Sequence, residues 1–317
     1  MNSAKLDRLN AIHKQCNREL KNLEFWPGYY DRRMSEFITY LSLMPDSSFG
    51  NVLEVGCGNG FYAALLSVLS EQVVATDLDN SSIPIHAQGL AQARKMVATL
   101  GISNVRIEPA SVDQLPMADA SFDLVFSSHV MVYVPQAKRA ISEIQRVLKP
   151  GGYHFCIVPA RMAAVHRLIQ FQTYMMERAF HHLLILPIQK KLSPSKRDGT
   201  ENPASHAGSR KRMLKDFPFP PTFGGLPRWK DEFHEWTPAR WAALITDNGE
   251  IPLVSQSTTQ VNPLLPWVGD IRADWAGWIH DKTRKFELRH GGKSFFQSLG
   301  GNSVIVTRKS LSRGSRK

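Results

Sequence analysis

Glu54 sits in the apolar run Val52-Leu53-Glu54-Val55, and three glycines follow at alternate positions, Gly56, Gly58 and Gly60. Glycines in such a turn let the backbone approach a ligand closely and adopt conformations closed to other residues. Position 61, where a GxGxxG dinucleotide fingerprint needs its last glycine, is Phe, so the pattern is GxGxG preceded by an acid. On the turn alone, a merely structural loop is the competing reading. A second acid adds to it: Ala75-Thr76-Asp77 ends the next apolar run, about twenty residues beyond the glycines, where a carboxylate can accept hydrogen bonds from both ribose hydroxyls of a nucleoside. A later run ends in Ser127-Ser128-His129, and a histidine there has the near-neutral ordinary pKa of a proton acceptor. Its plainer alternative is a histidine that only shapes a pocket.

These residues need a frame, and the pattern around them supplies one. From residue 51 short β-rich runs alternate with amphipathic helical ones: NVLEV, FYAALLSVLS, QVVAT, a helix to Leu100, NVRIE, FDLVFS, AKRAISEIQRVLK and YHFCIV. Strands alternating with helices of this length predict βαβ units and a parallel sheet, and their near-continuous apolar character predicts helices on both faces. Strands are expected near 51–55, 72–76, 104–108, 122–127, 152–158, 251–258 and 302–308. Ahead of them, residues 3–24 and Tyr30 to Leu43 read as helices separated by the Pro27-Gly28 break. After Val158 the alternation stops. Residues 161–186 carry apolar side chains at helical spacing, and a Ser-, Pro-, Gly- and Lys/Arg-rich stretch follows that predicts a mobile loop. Thr237-Pro238 then reads as a helix start, with Thr237 as cap, and a further helix is expected between the last two strands. The expected organisation is a helical N-terminal cap over 1–48, a core over 49–159 and 237–309, a basic insertion over 160–236 and a disordered tail over 310–317.

Further motifs stand in order along the core: Leu115-Pro116, Ser121-Phe122-Asp123-Leu124-Val125 and Val147-Leu148-Lys149-Pro150-Gly151-Gly152. Together with the glycine turn and Asp77 they resemble the class I S-adenosylmethionine-dependent methyltransferases, in particular the broad group of quinone and other small-molecule methyltransferases. The resemblance covers 51–158 well and 237–308 by strand order. It implies a Rossmann-like, doubly wound, seven-stranded and mostly parallel α/β sheet whose last strand runs antiparallel between its neighbours. It also implies the cofactor S-adenosyl-L-methionine. Gly56, Gly58 and Gly60 would lie under the methionine moiety, Glu54 would orient the loop or the amino group, Asp77 would hold the ribose and Leu78 would pack on the adenine. Ala110-Ser111-Val112 would meet the adenine edge. Many relatives carry Asp where this chain has Ser111, and Asp113 lies two residues on, so Ser111 and Asp113 both stand as adenine readers. Ser127, Ser128 and His129 would face the sulfonium and the acceptor, with His129 as base and Tyr133 orienting the acceptor.

Such a reaction is an in-line displacement on an activated methyl group, in which positioning supplies much of the catalysis. No [DN]PP[YF] stands at the fourth strand, Cys156 lacks the Pro-Cys setting of cytosine-C5 enzymes, and no acidic cluster follows the fifth strand. The expected enzyme is therefore metal-independent; the resemblance implies a small-molecule acceptor, and the apolar, basic insertion over 160–236, read as a lid over the acceptor, extends that to a lipid-like one.

Composition bounds the rest. The chain has 317 residues, 43% hydrophobic and 21% charged, which excludes wholesale disorder. It shows no apolar run of membrane-spanning length and no secretory h-region at its start. Three cysteines, Cys16, Cys57 and Cys156, are widely spaced with no CxxC, which points to a reducing, cytoplasmic setting. Residues 1–159 carry 14 basic and 15 acidic side chains, whereas 160–317 carry 25 and 13. The basic half favours anionic partners: an acidic membrane surface met peripherally, a phosphorylated substrate or nucleic acid. An RNA or tRNA methyltransferase is one alternative, disfavoured by the lack of aromatics among the basic residues near 190–215. A catalytically silent binding scaffold is the other.

Overall fold

The computed structural model describes residues 3–24, 29–44, 46–79, 89–160, 237–246, 251–258 and 301–311, with isolated helical positions at 162–165, 168, 172, 231, 234 and 282. Two helices lead, α1 (Ser3–Glu19) and α2 (Tyr29–Leu41), joined through a 3-10 turn at Lys21–Leu23. The alternating part follows: β1 (Phe49–Val55), α3 (Phe61–Leu66), β2 (Ser70–Asp77), α4 (Gly89–Thr99), β3 (Val105–Pro109), β4 (Phe122–Ser128), α5 (Ala137–Val147) and β5 (Leu148–Pro159). The last described elements are α6 (Pro238–Thr246), β6 (Ile251–Thr258) and β7 (Asn302–Arg308).

The strands form one seven-stranded sheet in the order β3-β2-β1-β4-β5-β7-β6. Pairs β1–β2, β1–β4, β2–β3 and β4–β5 are parallel, while β7 runs antiparallel to both β5 and β6. That is the expected doubly wound sheet, and its order reverses beside β1. Side chains alternate between the two faces, as the period of two requires. Val52, Leu124, Phe126, Phe155, Ile157, Val304 and Val306 pack with α1 to α4 on one face. Leu53, Val55, Val125, Cys156, Val158 and Ile305 pack with α5 and α6 on the other. Because both faces are covered, neither strand parity is polar, and the apolar runs look continuous.

The helix expected over 61–70 is shorter, ending at Leu66, with β2 beginning at Ser70. Two serines account for the difference: Ser67 Oγ donates to the Ala64 carbonyl (2.7 Å) and Ser70 Oγ to that of Leu66 (2.6 Å), closing the end of the helix with side chains. The Thr237 cap is present, its hydroxyl accepting from the Arg240 N–H at 3.3 Å.

Two of the chemistry-free motifs act at the far end of the sheet. Asp123 accepts from the Asn51 N–H at 2.7 Å and from Lys149 Nζ at 2.8 Å, tying β1, β4 and the turn into β5. Most of the expected helices over 161–186 and between the last two strands, the basic loop and most of the 310–317 tail lie outside the described residues. Among the described residues no helix is long and apolar enough to cross a membrane.

Candidate functional site

The carboxyl ends of β1, β2 and β4 meet beside the point where the strand order reverses, the place at which open α/β sheets bind ligands. At β1 the chain enters the glycine turn with φ of +69°, +54° and +83° at Gly56, Gly58 and Gly60. Glycine is needed there for space as well as conformation. A Cβ on Gly56 would lie 2.3 Å from Val130 Cγ2, and one on Gly60 2.9 Å from the Ala93 backbone. The turn is fastened by Asn59, fully buried, whose amide donates to the Leu23 carbonyl at 2.9 Å and whose oxygen accepts from the Phe61 N–H at 3.2 Å.

Two carboxylates flank the turn in contrasting states. Asp77 Oδ2 accepts from the Gly58 N–H and Oδ1 from the Leu78 N–H, each at 2.7 Å. The Asp77 carbonyl also accepts from the Ala110 N–H at 2.9 Å, which sets Ala110-Ser111-Val112 next to it. Glu54 is 2% exposed and its Oε2 has no hydrogen-bond partner. Burial, and then the nearby Asp77 charge, hold the Glu54 carboxyl well above its ordinary range. An orphaned buried acid is costly unless a cation arrives to pair with it. Cys57 lies in the same turn, and burial raises its thiol well above its ordinary value, so it is no nucleophile.

Leu78 is 48% exposed although apolar, immediately after Asp77. Ser111 donates to Asp113 Oδ1 at 2.5 Å, so the two adenine-edge candidates form one hydrogen-bonded unit. Val112 is buried, in the core cluster on the α5 face.

At β4 the three sequence candidates separate. Ser127 turns into the core, fully buried, with its hydroxyl 3.3 Å from His154 Nε2, and so does not face the site as expected. Ser128 and His129 stay at the strand end. His129 has φ +60°, and its N–H donates to the Ile157 carbonyl at 2.8 Å. Its Nδ1 lies 3.1 Å from Ser128 Oγ and its Nε2 3.0 Å from Asn302 Oδ1. Burial first, then the Arg33 charge, hold its pKa down to about 4, against the opposing pull of Glu36 and Asn302. His129 is therefore neutral at pH 7. Tyr133 ends the short 3-10 turn Met131–Tyr133 and is half-buried.

Helix α2 brings a group that sequence reasoning missed. Glu36, 6% exposed, accepts from Arg33 Nη1 at 2.6 Å, Arg32 Nε at 3.1 Å and the Tyr62 hydroxyl at 3.0 Å. Burial raises the Glu36 carboxyl, but Arg33 and Arg32 outweigh it and bring the pKa down to about 2. The Arg33 guanidinium lies 5.5 Å from the Tyr29 ring centre and 5.8 Å from that of Tyr62. The i,i+3 and i,i+4 spacing of Arg33, Arg32 and Glu36 was a visible signal for the ion pairs. Their burial beside His129 was not.

Comparison with known proteins bears on the part of the chain that holds this site. Residues 53–156 match the family model described as a methyltransferase domain. That stretch carries the domain of the class I S-adenosylmethionine-dependent methyltransferases. A Mycobacterium tuberculosis protein named as an S-adenosylmethionine-dependent methyltransferase is 30% identical over 135 residues, covering 43% of this chain and 44% of that one. Trans-aconitate 2-methyltransferase of Deinococcus radiodurans is 28% identical over 149 residues, 47% of this chain and 53% of the relative. The chain thus spans about half the length of these curated relatives. Among solved structures, the complex between the Haloferax volcanii Trm112 methyltransferase activator and a methyltransferase aligns over 94% of this chain and 97% of that one, with TM-score 0.51 and 17% identity. That likeness is one of fold. The family's cofactor is S-adenosylmethionine.

Proposed function

We propose that the protein transfers a methyl group from S-adenosylmethionine to a small-molecule acceptor, without a metal ion. The observation that carries this reading is the pairing of an orphaned, buried Glu54 with a glycine turn that has no room for a Cβ at Gly56 or Gly60 and whose Gly58 N–H donates to Asp77. The donor set suits the cofactor's chemistry. Glu54 Oε2 would take the cationic amino group, relieving the cost of its own burial. Gly56, Gly58 and Gly60 would admit the methionine chain against bare backbone. Each Asp77 oxygen carries one backbone N–H and keeps a lone pair for a ribose hydroxyl. Leu78 would cover one adenine face, with the Ser111–Asp113 unit at its edge and Val112 packing behind it.

When bound, the cofactor supplies a methyl group already activated on a sulfonium, so the chain's own residues have only to position the acceptor, exclude water and receive a proton. Ser128 and His129 stand at the end of β4 for that last task, with Tyr133 on the following turn to orient the acceptor. The trans-aconitate relative supports a small-molecule acceptor. Calorimetric titration with S-adenosylhomocysteine tests the cofactor half: the parent should bind and Glu54→Gln should bind more weakly. Incubation with methyl-labelled cofactor and cell extract, fractionated into small-molecule, lipid, protein and RNA pools, tests the acceptor half. Label only in the RNA pool would overturn the small-molecule reading, and absence of S-adenosylhomocysteine binding would overturn the whole.

A further inference from the structure

The sheet's last strand carries a buried polar residue that neither the glycine turn nor the β4 motif accounts for. Asn302 is 5% exposed and opens β7, where it pairs with Pro159 of β5 on one side and Thr258 of β6 on the other. With a strand on each side, its backbone has little freedom, so its side chain projects from a fixed point. The amide nitrogen donates to the Tyr40 hydroxyl at 3.4 Å, and the amide oxygen stands 3.0 Å from His129 Nε2. A hydrogen-bonded row results: Tyr40 on α2, Asn302 on β7, His129 and Ser128 at the end of β4.

A neutral imidazole has one N–H and one lone pair, and its neighbours decide which nitrogen carries which. The oxygen of Asn302 accepts only, so Nε2 must donate to it. The lone pair then falls on Nδ1, where the Ser128 hydroxyl stands at 3.1 Å. The unusual backbone of His129, φ +60° with its N–H still paired to Ile157, aims the ring along this row rather than along the strand.

We infer that Asn302 is a positioning residue for methyl transfer: it fixes His129 as the Nε2–H tautomer and presents the Nδ1 lone pair, through Ser128, as the atom that receives the acceptor's proton. In that step the acceptor gives its proton to Ser128 Oγ as the hydroxyl passes its own to Nδ1. The resulting imidazolium keeps its Nε2–H bond to Asn302. The role in transfer rests on the function proposed above, whereas the tautomer does not. Among the described residues, the charged and titratable groups facing His129 are Arg32, Arg33 and Glu36, all from α2, with Tyr40 reaching it through Asn302.

The test is nitrogen NMR of the full chain labelled at histidine, with the His129 signals identified by their loss in His129→Gln. The parent should show the Nε2–H form of His129. Asn302→Asp should keep that tautomer and raise the imidazole pKa by at least one unit from about 4, because a carboxylate now faces the imidazolium. Asn302→Leu should leave the tautomers mixed. Should the leucine variant not fold, Tyr40→Phe replaces it: the amide loses its anchor, and the Nε2–H preference should weaken. A parent in the Nδ1–H form, or variants that leave tautomer and pKa unchanged, would overturn the assignment. S-adenosylhomocysteine titration of the same samples keeps the two claims apart. Normal binding with a wrong tautomer defeats only the role of Asn302, while the right tautomer without binding defeats the methyltransferase reading.

Discussion

The two halves of the site are built on opposite plans. The half proposed to hold the cofactor is short-range: Glu54, the glycine turn, Asp77 and Leu78 lie within one strand–helix–strand unit, and its key contacts run from side chain to backbone. The half proposed to take the acceptor is long-range: residues from α2, the end of β4 and β7 converge, and its contacts run from side chain to side chain. Backbone-directed contacts depend on where the main chain goes, so a few spacings specify them. Side-chain networks depend on which distant residues happen to meet, so many sequences can supply them.

That contrast predicts effects of different size and kind. Gly56→Val should be the most damaging change, because a side chain there collides with Val130 at 2.3 Å on a backbone of φ +69°. S-adenosylhomocysteine binding should vanish from the calorimeter and the melting temperature should fall. Retained binding would mean that the turn yields, and that the cofactor half is less backbone-determined than described.

Glu36→Gln should come next, as a loss of stability. It leaves two arginines and a tyrosine facing an amide in place of a buried carboxylate, a change worth about 3 kcal/mol in urea denaturation. The pH profile gives the sharper signature. The folded pKa of Glu36, about 2, is depressed, so its contribution is present above the ordinary carboxylate value and is lost as pH falls through about 2. His129 and His154 act earlier. Burial, joined at His129 by Arg33, holds both near 4 instead of 6.5, so the unfolded chain takes up their protons first. Stability should therefore decline in two stages, from about pH 6.5 to 4 and again below the carboxylate range. Glu36→Gln should shrink the second stage and, by removing the carboxylate that pulls the His129 pKa upward, deepen the first.

Asp77→Ala should weaken S-adenosylhomocysteine by tenfold or more, on the order of the 1.5–3 kcal/mol that a charge-assisted hydrogen bond contributes. The smallest effect should belong to Leu78→Ser. Its side chain is 48% exposed, so the melting temperature should hold while affinity falls roughly threefold through lost apolar cover on the adenine. A large drop in melting temperature would place Leu78 in the core instead of at the ligand.

The same contrast explains what could be read in advance. The strand pattern and the seven strands were legible because covering both faces of a parallel sheet demands long apolar runs at fixed intervals, whereas the reversed last strand was expected only from the family resemblance. Glu54, the glycines and Asp77 were legible because they sit at element ends that the pattern itself marks. Ser127 was misread because adjacent residues at a strand end point to opposite faces, and nothing in Ser-Ser-His says which parity faces inward. Asn302 was invisible: its partner His129 is 173 positions away, and an asparagine at a strand start is ordinary. Asn59 was hidden among the glycines, where its fully buried amide fastens the turn to the chain before α2.

The position of β7 bears on how the protein comes into being. It lies between β5 and β6 yet is made last of the three, so during synthesis β6 has no described partner and the edge of β5 stays open until residues 302–308 emerge. Open strand edges invite pairing with other chains, which gives the nascent protein an interval of exposure to aggregation. Closing that gap also delivers Asn302 to His129. Translation therefore completes the sheet and sets His129 in a single late event. A chain that stalls before residue 302 would carry an intact glycine turn on a sheet that cannot close.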